Sequence, residues 1–313
     1  MENKTPSITV MGVGGVGGLL AGALVRRYGE QVSLVARGAR GEHLRTHGLT
    51  LHSDLYGELN VRPARVVEDP AELGVQDVVL VCVKNNGLAK AAQQIAPIVG
   101  PDTIVLPVMN GVRVGEQLRA ALPGAQVLES VIYTVSSAGA DFSITQKGRF
   151  TTIYTGGVDP EQKAAAERLC ALLKAADIDC RHAEDVMAAV WSKYVLNCAY
   201  NVVTARWGIN IGQIKASDAL TADYLGLMTE AFQVGRARGV ALPDDLLDKH
   251  MKRLANTTDD STSSLSRDFD AGRAGEMEVF SGEVVRMAQQ AGVPAPLSAA
   301  YYEGLKQRAA AFG

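Results

Sequence analysis

Residues 7–29 read SITVMGVGGVGGLLAGALVRRYG. Ile8 to Met11 is a short apolar run, residues 12–18 are all glycine or valine, and the apolar residues from Leu19 to Val25 suit a buried helix. Strand, tight turn and helix therefore follow one another. Gly12, Gly14 and Gly17 form GxGxxG, in which each glycine has a task. Gly12 permits the turn, Gly14 lets backbone approach a pyrophosphate, and Gly17 lets the helix pack closely on the strand. The helix N-terminus adds free N–H groups and partial positive charge. Glycine-rich turns also arise for structural reasons alone; the strand before this one and the helix after it favour a dinucleotide. The candidate cofactor contacts are Gly12, Val13, Gly14, Gly15, Val16 and Gly17.

A second strand, QVSLVAR, ends at Arg37, about twenty residues past the last glycine, where such folds select their ribose. An acidic residue there would bond the diol of NAD, whereas an arginine can clamp a 2′-phosphate through its planar fork, with Arg40 close enough to assist. The expected cofactor is NADPH/NADP+. An ordinary exposed arginine after a strand would look the same in sequence.

Strand and helix keep alternating: DVVLVCVK (77–84), NNGLAKAAQQIAPIV (85–99) and TIVLPVMNG (103–111). Near-continuous apolar strands belong to a doubly wound parallel sheet, so the fold class is α/β, Rossmann-type, in the N-terminal part. Ligands in such sheets sit beyond the carboxyl ends of the strands, where Lys84 and Asn110-Gly111 fall. Lys84 is a candidate for a cofactor phosphate, Asn110 for the nicotinamide end or a substrate carbonyl; a solvated strand end and a plain turn are equally compatible. Residues 127–139 and 142–156 read as strands that extend the sheet, some of them antiparallel, before a helix from Glu161 to Ala176.

Beyond residue 180 the patterns are helical, giving two expected domains: 1–180, NADP-binding, and 181–313, an all-helical substrate and catalytic domain. The opening helix of the second, AAVWSKYVLNCAYNVVTA (188–205), carries Lys193, Asn197 and Asn201 at intervals of four. At 100° per residue they span an arc of roughly 80° on a helix that is otherwise apolar. Polar groups set into such a face need partners or a ligand, and burial lowers a lysine pKa toward the range of a general acid. A helix with one wet side has the same periodicity. Further on, a serine-rich entry at 261–264 leads to a helical stretch bearing Glu276, Glu278 and Glu283, with Ser264 twelve residues before Glu276. By itself this pattern also fits a cap and a solvated face.

The 313 residues, 47% hydrophobic, can bury a sizeable core, and 31 basic against 34 acidic residues leave a net charge of −3 without long runs of one sign. Neither nucleic acid nor membrane is an expected partner. The start MENKTPSITV lacks the layout of a signal peptide, so a cytoplasmic location is expected. Cys82, Cys170, Cys180 and Cys198 fit neither a zinc knuckle nor a CxxC pair and read as reduced core thiols. His43 and His47 could share a helix face but lack a third ligand nearby; no metal is expected.

Four pieces in order, GVGGVGG (12–18), Lys84 with Asn110-Gly111, KYVLNCAYN (193–201) and STSSLSRDFDAGRAGEME (261–278), resemble the ketopantoate reductase (2-dehydropantoate 2-reductase) family along nearly the whole chain. The resemblance implies NADPH-dependent reduction of a 2-oxo acid to a 2-hydroxy acid, foremost 2-dehydropantoate to (R)-pantoate in pantothenate biosynthesis. It also implies roles for single residues. Lys193 would polarise the keto oxygen and protonate it, and Glu276 would orient that lysine, lying at the cofactor as well. Asn110, Asn197 and Asn201 would contact substrate or position the lysine, and Ser264 would bind the substrate carboxylate. The expected partners are a small 2-oxo acid and a second copy of the chain in a homodimer.

Two positions depart from the family pattern. Ile211-Gly212 stands where Asn-Gly is common, with an asparagine displaced to Asn210, and Ser261 stands where the family has an asparagine. Another branched 2-oxo acid is therefore an alternative substrate. An imine or opine-type reductase and a non-enzymatic NADP sensor are further alternatives, the sensor having no need of Lys193, Asn197 and Glu276.

Overall fold

The computed structural model describes residues 5–157 and 159–312, so the first four residues of the start MENKTPSITV lie outside the described residues. The chain divides after Val186 into two compact units.

The first unit runs β1 (Ile8–Met11), α1 (Gly15–Tyr28), β2 (Val32–Val35), α2 (Gly38–His47), β3 (Leu49–Ser53), β4 (Gly57–Val61), β5 (Arg65–Val67), β6 (Val78–Val81), α3 (Leu88–Ile95), β7 (Ile104–Pro107), α4 (Val114–Ala121), β8 (Gln126–Val127), β9 (Glu129–Ala138), β10 (Ile144–Gly156), α5 (Pro160–Ala175) and β11 (Asp179–His182). Six strands form a sheet in the order β5-β2-β1-β6-β7-β8, every pair parallel. This is the doubly wound order of dinucleotide folds, with the β3–β4 hairpin inserted after α2. Successive side chains of one strand feed opposite cores: Val78 and Leu80 join Leu19, Leu24 and Ile144, whereas Val79 and Val81 join Leu88, Ile95 and Leu118.

Apart from Val127, which ends β8, the stretches at 127–139 and 142–156 do not extend that sheet. They pair with each other and, through β10, with β3 and β11, making a second, mixed sheet in the order β11-β10-β3-β4 with β9 on the other edge of β10. Helix α1 packs against it through small residues: a Cβ on Gly18 would strike the Ile144 side chain, and one on Gly22 would crowd Leu49 and Leu51. An inserted hairpin built from local alternation gives no hint in sequence of which distant strand it joins.

The second unit is helical: α6 (Val186–Trp207), α7 (Ile211–Lys215), α8 (Asp218–Ala237), α9 (Leu246–Asn256), α10 (Ser264–Asp270), α11 (Glu283–Ala291) and α12 (Pro296–Ala309). The helical stretch after residue 275 is not regular from its start. Glu276 lies in a turn, residues Glu278–Gly282 form a π-helical turn, and the α-helix begins only at Glu283. Among the described residues no helix is long and apolar enough to cross a membrane. The four cysteines are free, with Cys170 Sγ and Cys180 Sγ 2.7 Å apart in the core of the first unit.

Candidate active site

In the first unit the three motif glycines occupy different environments. Gly12 has φ +93°, and a Cβ there would meet Val83 Cγ1 at 2.9 Å and the Cys82 carbonyl oxygen at 3.0 Å. Gly17 lies against the Gly12 carbonyl oxygen so closely that no side chain fits between helix and strand. Gly14, the N-cap of α1, faces open space, has no side-chain cap, and no acidic residue follows in the first turn. An anion can therefore approach the helix N-terminus directly. Gly15 abuts the Ser136 carbonyl of β9, Val13 is buried, and Val16 packs against the core. Val13 and Val16 thus have only backbone to offer a ligand.

Beside this turn lies a pocket of about 290 Å³ whose lining includes Gly12, Gly14, Ala36, Arg37, Arg40 and Val83. Arg37 is the extended residue capping α2, exposed, and donates to Gln94 Oε1. The Arg40 guanidinium lies 5.1 Å from the Phe142 ring centroid. Two residues here carry no sequence signal: Glu68, just past β5, accepts the Gly38 N–H at 3.1 Å, and Phe142 comes from the β9–β10 turn. His43 and His47 stack on each other at 4.8 Å, and His43 also meets Phe142.

At the carboxyl ends of neighbouring strands β6 and β7, Lys84 and Asn110 fall in adjoining turns. Asn85 Nδ2 donates to the Asn110 carbonyl oxygen at 2.7 Å and ties the two turns together. Gly111, at φ +109°, makes the second turn possible.

The second unit gathers the remaining candidates around α6. Lys193 is of intermediate exposure, and its ammonium is lowered to about 8, first by burial and further by the charge of Arg253, while Glu276 acts in the opposite direction. A neighbouring carboxylate thus holds the charged form of a lysine that its surroundings would neutralise. The other two glutamates of that segment have different roles, since Glu278 is engaged by Arg286 at 2.9 Å and by Tyr302, and Glu283 opens α11. Tyr194, next to Lys193, donates its hydroxyl to the Val279 carbonyl at 2.7 Å. A π turn frees carbonyls from the regular α-helical ladder, and this one anchors the segment carrying Glu276 to α6.

Helix α9 docks at the same turn of α6. His250 Nε2 lies 2.8 Å from the Ser192 carbonyl oxygen, and Arg253 follows three residues later on the same face. The residues around it, KHMKRLAN, carry no motif, so nothing in the sequence singles Arg253 out.

Asn201 is 3% exposed, and its Oδ1 accepts from Ser264 Oγ at 3.2 Å and from the Leu265 N–H at 3.3 Å. One turn later Thr204 Oγ1 donates to Ser263 Oγ, which caps α10 by accepting the Ser266 N–H. Asn201 and Thr204 therefore fasten the start of α10 onto α6 and bring Ser264 beside the Lys193–Asn197–Asn201 face. The two departing positions are neighbours: the Ile211 N–H donates to the Ser261 carbonyl at 3.0 Å, and Ile211 is 1% exposed. Asn210 is consumed in a capping box with Gln213.

An ammonium lowered to about 8, on the helix face that also carries Asn197 and Asn201, suits proton transfer to a developing alkoxide. The family profile described as Ketopantoate reductase PanE/ApbA matches residues 8–159, and its C-terminal counterpart matches residues 185–309. A 2-dehydropantoate 2-reductase of Caulobacter vibrioides is 30% identical over 297 residues, covering 94% of this chain and 96% of the relative. One from Mesorhizobium japonicum is 29% identical over 311 residues, covering 92% and 93%. The crystal structure of a PanE/ApbA family ketopantoate reductase from Ralstonia eutropha JMP134 superposes with a TM-score of 0.88 at 28% identity, covering 97% of this chain and 99% of that one. Two profiles and full-length relatives agree with the site's chemistry: the chain belongs to the ketopantoate reductase PanE/ApbA family.

Proposed function

We propose that this oxidoreductase reduces 2-dehydropantoate to (R)-pantoate with NADPH, the reductive step of pantothenate biosynthesis. The observation that carries this reading is the lysine whose pKa falls to about 8 by burial while Glu276 opposes the fall. Bound NADPH supplies a hydride for the carbonyl carbon. Lys193 Nζ donates a hydrogen bond to the keto oxygen, stabilises the negative charge that builds there and gives up its proton to it, leaving a neutral amine that solvent reprotonates. Glu276 keeps Lys193 charged and oriented. Asn197 adds an amide at the same face, Asn201 holds Ser264 in place, and Ser264 at the start of α10 offers its hydroxyl to the substrate carboxylate. On the cofactor side, Gly12–Gly17 cradle the pyrophosphate, Arg37 takes the 2′-phosphate, and Lys84 and Asn110 serve the phosphate and nicotinamide ends. The domain limits proposed from sequence, 1–180 and 181–313, differ by a few residues from the division of the chain after Val186.

Following NADPH absorbance on adding 2-dehydropantoate tests this, with 2-oxoisovalerate, pyruvate and a keto acid plus amine beside it. Rapid oxidation with 2-dehydropantoate alone is the expected result; tight NADPH binding without oxidation by any of them would sink the proposal. A second reading, an apolar branched 2-oxo acid, draws on buried Ile211 beside Ser261 and would show as a preference for 2-oxoisovalerate. The proposed location is the cytoplasm, which suits four free cysteines. The proposed assembly is a homodimer, for which exposed Val135 and Phe150 on the paired strands β9 and β10 offer apolar surface; sedimentation velocity decides it.

A further inference from the structure

Phe142 and Asp177 are the non-glycine residues at positive φ among those described, and Phe142, at φ +69°, is bulky and aromatic. L-residues of this kind rarely adopt that conformation, so the surroundings must impose it. They do so through a tight turn: the Gly139 N–H donates to the Ser143 carbonyl at 2.8 Å, and the Phe142 N–H to the Gly139 carbonyl at 3.2 Å. Asp141 Oδ1 accepts from the Ser143 N–H at 3.1 Å and from its hydroxyl at 2.7 Å. A glycine or asparagine would serve this turn with less strain, so the ring must be held there by its own contacts.

The ring reaches α2. It lies under the Arg40 guanidinium at 5.1 Å and against the His43 ring at 5.3 Å, two residues one helical turn apart, while the Phe142 carbonyl accepts an Arg40 N–H at 3.5 Å. A flexible side chain that lines the pocket is thereby held on one face by a ring and at one edge by a carbonyl. The hairpin that delivers Phe142 is itself fixed on α1, with the Ser136 carbonyl against Gly15 and Ile144 against Gly18.

We propose that Phe142 is a positioning residue that fixes Arg40 as the second cation of the 2′-phosphate subsite, and so sets the preference of this pocket for the phosphorylated dinucleotide. The inference rests on the reading of this pocket as the seat of the adenosine 2′-phosphate. Local charge explains the need. Glu68, which Arg45 meets at 3.7 Å, brings a carboxylate to the Gly38 N–H beside Arg37, and a fixed second guanidinium adds positive charge where a phosphate must bind. Arginine left free would lose more entropy on binding than one already held.

Calorimetry with 2′-phospho-ADP-ribose and ADP-ribose tests it, because the two ligands differ only in the phosphate. Phe142→Ala should weaken the phosphorylated ligand about five- to tenfold and leave ADP-ribose within about twofold. Phe142→Leu, which keeps bulk without a π face, should behave likewise, and Phe142→Tyr should retain wild-type selectivity. Arg40→Ala should show the same selective loss, with no further loss in the Phe142→Ala/Arg40→Ala double variant. An equal loss on both ligands, as from a ring that stacks on adenine, overturns the inference. So does unchanged selectivity in Phe142→Ala and Phe142→Leu while Arg37→Glu is selective, an outcome that spares the pocket reading. An Arg37→Glu variant that fails to discriminate the two ligands overturns both.

Discussion

If Lys193 is the proton donor, the rate of reduction follows the fraction of its ammonium that remains charged. Burial lowers that pKa from 10.5 to about 8, so kcat/KM for 2-dehydropantoate at saturating NADPH should be flat near pH 7 and fall tenfold per pH unit well above 8. Between pH 7 and pH 10 the decline is then about ninetyfold. Oxidation of pantoate, which needs the neutral amine, should rise over the same range. The two charges acting on Lys193 give the test its resolving power. Glu276→Gln removes the carboxylate that raises the lysine pKa and should move the alkaline limb down by about one pH unit. Arg253→Gln removes the cation that lowers it and should move the limb up by up to about one unit. Initial rates across pH 6 to 10 for the three proteins, each normalised to its own plateau, separate limb position from any loss of amplitude. Limbs that stay in place, or that both move in one direction, would refute the assignment of the titrating group to Lys193 under these two charges.

Lys193→Met should abolish turnover by orders of magnitude yet raise stability near neutral pH by about 1–3 kcal/mol, a value reduced for partial exposure, read as the urea midpoint. The sign follows from the native pKa lying below the unfolded one. The wild type carries the full penalty below pH about 8 and sheds it as pH rises toward 10.5, so its stability climbs in that window, and a Met variant should lack the climb. Arg37→Glu should weaken NADPH at least about tenfold more than NADH in fluorescence titrations, and equal losses would end the phosphate-clamp idea. Gly17→Ala, with its Cβ driven into the Gly12 carbonyl, should lower the melting temperature sharply. Gly14→Ala, whose Cβ meets nothing within 4 Å, should melt like wild type and still bind NADPH more weakly; equal melting of both variants would contradict their distinct roles.

The legible parts of this molecule are those in which backbone geometry dictates residue type. A turn at φ +93° and a helix resting on a carbonyl oxygen leave glycine almost alone as a choice at residues 12 and 17, so GxGxxG speaks for itself. Apolar strands buried on both faces likewise announce a parallel sheet in β1, β2, β6 and β7, whereas β5, which follows the β3–β4 hairpin rather than a helix, and the two-residue β8 leave no such mark. The second sheet was not legible because its defining pairings, β10 with β3 and β11, join residues far apart in sequence whose local alternation suits any half-buried strand. The π turn after Glu276 was hidden for a related reason: its stability comes partly from the Tyr194 hydroxyl, a partner more than eighty residues away.

The polar stripe on α6 shows where periodicity stops and tertiary structure takes over. Spacing of four puts Lys193, Asn197 and Asn201 on one face but assigns them no separate roles. Packing does. Asn201 is drawn into the core, where its oxygen anchors α10 and holds Ser264 in place. Lys193 remains at the margin, where α9 delivers a cation that no motif marks and the turn before α11 delivers Glu276, the anion carried by the 261–278 piece. Burial and these opposing charges leave the lysine charged at neutral pH with a pKa of about 8, the strength that the proposed proton donor needs. Sequence can name the proposed donor. Its strength is decided first by the packing that removes water from around it, and then by Glu276 and Arg253, eighty-three and sixty residues further on.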